Sequence, residues 1–584
     1  MLPRLVRSSL LIALIGAPVS SLSAAPVPSP LPPELRWNPA DAAALDVPDD
    51  WATVAEASGF SESPSYADTL SFLHRLQEHS PLLSVHSFGQ TAEGRELVYV
   101  RASKGGGDRP VVMIQGGIHA GEIDGKDAGL MLLRDIAVRG RSDLLDAVDL
   151  VFIPVLNPDA HENASPVGRP SQRGPHVKGA RTNALGLDLN RDYARLESPE
   201  VLAVVKLLHA FDPALYVDVH VSDGTDYQYD VTYAFAGWGT YARSRQTASW
   251  LMGGYSRDLQ QALQAAGHVP GVYPSWVDEN IPSQGLRISI ESPRYSTGYG
   301  DFIGVPTVLV ENHRFKPYRQ RVLGTYVLMV QSLRSVARDA GRIADAKRAD
   351  RLHRAASIAV AWERDPVPLE TRAFKGYHYA TYDSAASGAR ELKWTGKTET
   401  VPRPVYGTRA TQWASIPVAW WIKPGNDRIV QLLQAHGVQI ERIPADRRLA
   451  LERVQMADGR ERRAFDRSVH EVVMPTGSVR VPGDQALQLL AAALLEPASQ
   501  DSVLAMGWFD RALPAESRLP RHLLAPMADA MMAGDPALRR EFQQALASDA
   551  AFASDADARL RWWEKRSPYM ERALWTYPIL MERG

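Results

Sequence analysis

Four short runs constrain the fold more than any other feature: 110–115 (PVVMIQ), 150–155 (LVFIPV), 215–221 (LYVDVHV) and 306–310 (PTVLV) are continuously apolar or nearly so. Such a strand has no side to offer water, so it has to lie in a sheet covered on both faces. Helical patterns at 127–139 and 199–210 fall between some of these runs and supply that cover. The pattern predicts an α/β fold over residues 65–347. Beyond it, 366–482 is richer in Tyr, Thr, Val and Gly and reads as mostly β. A short amphipathic helix at 428–436 interrupts that region and is closed by Gly437. Residues 483–584 are Ala/Leu-rich and read as helical, and 26–64 form an N-terminal extension with a Pro-rich start.

Composition narrows the chemistry. The 584 residues hold no cysteine. Disulfides, thiol catalysis, iron–sulfur clusters and Cys-ligated zinc are therefore excluded, and any metal must be held by His, Asp and Glu. Lys and Arg number 65 against 67 Asp and Glu, without a long basic run, so no nucleic-acid partner is expected. Arg4 and Arg7, the apolar run 10–19 and the small residues Ser23, Ala24 and Ala25 read as an export signal over residues 1–25, placing the protein in the periplasm or outside the cell. No later segment reaches the roughly 18 consecutive apolar residues of a membrane span. Oligomeric state is not legible.

Three elements carry chemistry. After the run PVVMIQ comes Gly116-Gly117-Ile118-His119-Ala120-Gly121-Glu122 and then a helical pattern. A strand-to-helix junction is where open α/β sheets place ligand loops, and paired glycines let backbone approach a ligand closely. A His and a Glu three residues apart can converge on one cation, although a helix N-terminus also favours a first-turn carboxylate. In LYVDVHV, Asp218 and His220 share one side of an otherwise apolar strand. Burying both is costly unless they pair with each other or hold a metal. The third element is Asp188-Leu189-Asn190-Arg191, where an amide and a guanidinium fork can hold a carboxylate, or pair with one at the surface. Sequences H-E at 161 and 470 do not continue to a second His, and no nucleophile elbow or nucleotide loop occurs.

In their order and separation, His119-x-x-Glu122, Asp188-x-Asn190-Arg191 and His220 resemble the zinc carboxypeptidase family. The tetrapeptides 157–160 (NPDA) and 308–311 (VLVE) strengthen the resemblance, which covers about residues 65–345. It implies a mixed sheet covered by helices and one zinc ion per chain held by His119, Glu122 and His220. It further implies hydrolysis of the C-terminal peptide bond of peptides by zinc-activated water, with Glu311 as general base. Asn190 and Arg191 would grip the free C-terminal carboxylate, Asp188 would orient His119, and Arg181 would polarise the scissile carbonyl. Arg169 and Arg173 lie in the same Gly/Pro-rich loop as Arg181, and Glu311 could instead pair with His313 or Arg314. Tyr295 and Tyr299 are two candidates for a substrate-capping tyrosine. Two further readings stand beside this one: a zinc amidohydrolase acting on cell-wall peptides or N-acyl amino acids, and a non-catalytic binding protein that retains the metal site. The aromatic segments around Trp508, Trp562, Trp563, Tyr569 and Trp575 resemble a tail found in some exported bacterial members, and read as packing or as a ligand platform.

Overall fold

The computed structural model describes residues 31, 32, 37, 49–222, 224–456, 465–509, 519–567 and 575–584. The export signal expected over 1–25 and the tail residue Tyr569 lie outside them.

The first nine strands are β1 (Leu83–Gln90), β2 (Glu96–Ala102), β3 (Val111–Gln115), β4 (Asp149–Ile153), β5 (Leu215–Val221), β6 (Val231–Ala234), β7 (Pro270–Val272), β8 (Leu286–Arg287) and β9 (Thr307–Asn312). Eight of them form one mixed sheet in the order β1-β2-β4-β3-β5-β9-β6-β7, with β8 elsewhere. The four nearly continuous apolar runs became β3, β4, β5 and β9, the mutually parallel centre of that sheet. Alternation along them explains why both sides had to be apolar. Val112, Ile114, Leu150, Phe152, Val217 and Val219 pack under helices Asp124–Ala137 and Tyr318–Leu352. Met113, Val151, Ile153 and Tyr216 point the other way, towards helix Pro199–Phe211. Helix Asp124–Ala137 approaches the sheet closely because Gly129 lacks a side chain; a Cβ there would sit 2.0 Å from Cζ of Phe152.

The region after the long helix begins with a two-stranded ribbon, β10 (Ser357–Asp383) and β11 (Arg390–Ser415). Its edge pairs with β8 through Val405 and Tyr406, against Leu286 and Arg287. A second sheet follows, built from β12 (Ala419–Ile422), β13 (Glu441–Arg442), β14 (Arg447–Met456), β15 (Phe465–Met474), β16 (Val479–Pro482), β17 (Trp575–Thr576) and β18 (Ile579–Glu582). Helix Asp427–Ala435 and the left-handed Gly437 (φ 72°) lie where the sequence pattern put them. Two features differ from the expected partition. The β region starts at Ser357 rather than 366, and β18, from the end of the chain, lies between β12 and β14, so one sheet spans position 483. A four-residue run at the end of a helical stretch carries no local sign of the distant strand it pairs with. Helices Arg521–Gly534, Pro536–Ser548 and Ala556–Glu564 form the helical part, with Trp563 buried against Phe542. No helix among the described residues is long and apolar enough to cross a membrane.

The two sheets share a core. Tyr299, Phe302, Ile303 and Val305, just before β9, pack in one cluster with Trp420, Leu433, Leu490, Leu494 and Val503 from the C-terminal region.

Candidate functional site

The turn after β3 carries Gly117 in the left-handed region (φ 62°), and Glu122 N donates to His119 O at 2.9 Å. That turn brings both side chains to the C-terminal end of β5. His119 Nδ1 lies 3.1 Å from Glu122 Oε1, and His220 Nδ1 lies 3.0 Å from Glu122 Oε2. Two imidazoles and one carboxylate are thus buried with their ligating atoms all within 4.8 Å of one another.

The remaining ring nitrogens are held by carboxylates. His119 Nε2 donates to Asp188 Oδ1 at 3.2 Å, and His220 Nε2 donates to Asp218 Oδ2 at 2.8 Å. Such partners fix which nitrogen is left to face a cation and raise its basicity. Asp218 also accepts from Gln115 Nε2 at 2.9 Å and from Ser296 Oγ at 2.6 Å, so a fully buried carboxylate is satisfied on both oxygens. The alternative reading of Asp218 and His220 as a simple core pair does not account for Glu122 at the opposite nitrogen. Burial acts to raise the Glu122 carboxyl, but His119 and Arg169 beside it hold it well below the usual range. Burial likewise acts to raise Asp188, yet its hydrogen bond and attraction to His119, with Arg181 adding to them, keep it below that range. The donor set is therefore anionic at one member and imidazole at two, which suits a borderline divalent ion such as zinc.

Glu311 stands directly opposite His220 where β5 and β9 pair in parallel. Its Oε2 is buried without a hydrogen-bond partner among the described residues. Burial pushes its carboxyl up to about 8, with Glu122 and Asp218 reinforcing the shift and His220 and Arg169 opposing it. His313 lies 3.2 Å from Asp226, and Arg314 donates to Ser222 O and Ser171 Oγ.

The three ligand residues and Glu311 open on one cavity of about 340 Å³, which Arg181, Asn190, Arg191 and Tyr295 also line. Asp188 N-caps the short turn that carries Asn190 and Arg191, accepting from Asn190 N at 3.0 Å. Arg191 is exposed, its guanidinium 4.6 Å from the centre of the Tyr295 ring. Arg181 Nε donates to Asp188 Oδ2 at 2.9 Å, so the same carboxylate ties His119 to a cavity-lining arginine.

Three sequence candidates are placed away from the cavity or turned to another partner. Tyr299 is fully buried, 3.2 Å from His209 Nε2 and 3.1 Å from His436 Nδ1, and does not reach the cavity. A tyrosine in the first turn of a buried helix packs inward, whereas Tyr295 precedes that helix as its N-cap. Arg173 donates to Phe315 O at 2.8 Å, and Arg169 forms an ion pair with Glu122 Oε1 at 2.9 Å. Sequence reasoning missed Ser289, Glu291 and Arg287, which line the cavity from the segment around β8. Their approach depends on long-range packing, and no local pattern signals it.

Residues 69–275 match the family model described as zinc carboxypeptidase. Those residues, about a third of the chain, are similar to that family. Among curated relatives, Carboxypeptidase 2 of Trichophyton rubrum is 27% identical over 176 residues, 28% of this chain and 30% of the relative. Carboxypeptidase B of Astacus astacus is 25% identical over 147 residues, 25% of this chain and 46% of the relative. The matched stretches thus span less than half of either relative. Among solved structures, a metallo-carboxypeptidase from Burkholderia cenocepacia is 19% identical with a TM-score of 0.35, covering 47% of this chain and 69% of its own. The carboxypeptidase A of Helicoverpa armigera is 18% identical with a TM-score of 0.36, covering 48% and 74%. Described residues of the region that follows, among them Trp420, Leu433, Leu490 and Val503, share a core with Tyr299 and Phe302.

Proposed function

We propose that this chain is a member of the zinc carboxypeptidase family, an exported metallocarboxypeptidase that removes single residues from the C-termini of peptides. The observation that carries this reading is the one cavity onto which His119, Glu122, His220, Glu311, Asn190, Arg191 and Tyr295 all open. His119, Glu122 and His220 would hold one zinc ion per chain. When bound, zinc supplies Lewis-acid polarisation and lowers the pKa of water.

The chain's own residues supply the rest. Glu311, raised by burial, takes a proton from the attacking water and returns it to the leaving amine. Arg181, tied to Asp188, offers its guanidinium to the developing oxyanion. Asn190 and Arg191 bind the free C-terminal carboxylate, Arg191 through a fork that fits both oxygens, and Tyr295 closes over the bound end beside Arg191. The composition of residues 1–25 supports export to the periplasm or the medium.

The test is mass spectrometry of one synthetic peptide and its C-terminal amide after incubation with purified protein, with and without a chelator. Loss of one C-terminal residue from the free acid alone, abolished by the chelator, supports the reading. Equal cleavage of the amide overturns it in favour of a general amidohydrolase. Absence of cleavage with bound zinc overturns it in favour of a binding role.

A further inference from the structure

The segment Glu291 to Ser296, which brings Tyr295 to Arg191, is held from both sides. On the zinc side, Ser296 N donates to Asn190 Oδ1 at 2.9 Å and Ser296 Oγ to Asp218 Oδ2 at 2.6 Å. In the middle, Tyr193 N reaches Arg294 O at 3.3 Å. On the other side the contact comes from the C-terminal region. Ser292 Oγ lies 2.8 Å from both carboxylate oxygens of Asp501. Arg294 Nε donates to Asp501 Oδ1 at 2.7 Å, and Arg294 Nη2 donates to the carbonyl of Gln500 at 2.7 Å. Asp501 is only 4% exposed and is anchored by its neighbours Val503 and Leu504 in the shared core.

We propose that Asp501 is a positioning residue of the active site. The C-terminal region, through this one carboxylate, sets the segment from which Tyr295 meets the substrate's C-terminal end; the inference rests on the carboxypeptidase reading given above. A buried carboxylate that accepts from a hydroxyl and a guanidinium makes charge-assisted bonds, stronger and more directional than neutral ones. Both donors belong to residues within three positions of Tyr295. The bonds at Ser296 fix the far end of the same segment, so Tyr295 sits between two clamps. One clamp leads to His220 through Asp218, the other to the C-terminal region. The C-terminal region therefore supports the substrate site from behind, through the segment that carries Tyr295.

The experiment compares the full chain with Asp501→Ala, Asp501→Asn and Ser292→Ala by hydrogen-exchange mass spectrometry and by kinetics. In Asp501→Ala the amides of 291–297 exchange about tenfold faster, the scale set by losing one charge-assisted hydrogen bond. Exchange in the central strands and the bound-zinc content stay unchanged. KM for free-acid peptides rises about tenfold while kcat moves by less than a factor of about three, the pattern of lost binding rather than lost chemistry. Asp501→Asn, which keeps one acceptor, falls between, and Ser292→Ala reproduces part of the effect without touching the C-terminal region. A double-mutant cycle with Tyr295→Ala gives strongly non-additive KM effects, because both changes remove the same contact. Unchanged exchange at 291–297 in Asp501→Ala, or additive effects with Tyr295→Ala, overturns the proposal. If the wild-type chain trims no peptide, the functional reading falls on that result, and the exchange comparison still decides whether Asp501 holds the segment.

Discussion

Asp188→Asn perturbs the metal site without touching a ligand. Asp188 Oδ1 accepts from His119 Nε2 at 3.2 Å and from Asn190 N at 3.0 Å, while Oδ2 accepts from Arg181 Nε at 2.9 Å. An amide offers only one oxygen. If that oxygen stays with His119 and Asn190, the NH₂ group faces the Arg181 donor; if it turns, it faces the His119 donor. The first orientation loses one bond and the second loses two, those from His119 and from Asn190 N, and in both the negative charge that makes His119 a better donor to a cation is gone. A hydrogen bond to a charged group is worth about 1.5–3 kcal/mol, and partners of metal-bound histidines typically account for about 10–100-fold in affinity. The expected result is a zinc dissociation constant raised about 10–100-fold, read by competition with a chromophoric chelator. Affinity within about twofold of wild type would refute the reasoning, because the carboxylate would then contribute nothing to His119.

Other predictions concern the base and the shared core. Glu311→Gln keeps shape and zinc but removes the proton acceptor; kcat/KM is expected to fall about 10²–10⁴-fold with bound zinc unchanged by metal analysis. Because burial raises Glu311 to about 8, it is protonated and inactive as a base at low pH, and activity rises as pH rises through its pKa. A cation on the three ligands draws that value down, so the acidic limb of kcat/KM is expected between the ordinary 4.5 and about 8, shown by a pH profile that Glu311→Gln abolishes. A fragment of residues 49–352 leaves Tyr299, Phe302, Ile303 and Val305 without their C-terminal partners. It is expected to be insoluble or to unfold without a cooperative transition, whereas the full chain gives one in a thermal scan.

Much of this arrangement is legible in the chain before folding. The central strands announce themselves because a parallel strand covered on both sides must be apolar throughout, and the exceptions in β5, Asp218 and His220, mark the site by breaking that rule. His119 and Glu122, and Asn190 and Arg191, sit in short motifs that stood out by their resemblance to those of the zinc carboxypeptidase family. What was not legible depends on distant packing. Two tyrosines four residues apart looked equivalent at 295 and 299, and only the helix that starts between them separates the cavity-facing one from the buried one. Among three arginines of one loop, Arg169 stood only as a rival to Arg181 for the scissile carbonyl, yet it lies against Glu122. Neither the joining of Ile579–Glu582 to Ala419–Ile422 nor the contact of Asp501 with Ser292 has any local sequence signature.

The most direct test of the account is a zinc titration of the chelated protein that follows bound metal and single-residue trimming of a free-acid peptide together. The account predicts that both saturate at one zinc per chain and that His220→Ala loses both. Trimming that persists in metal-depleted protein, or that returns without metal at His119, Glu122 and His220, would contradict it.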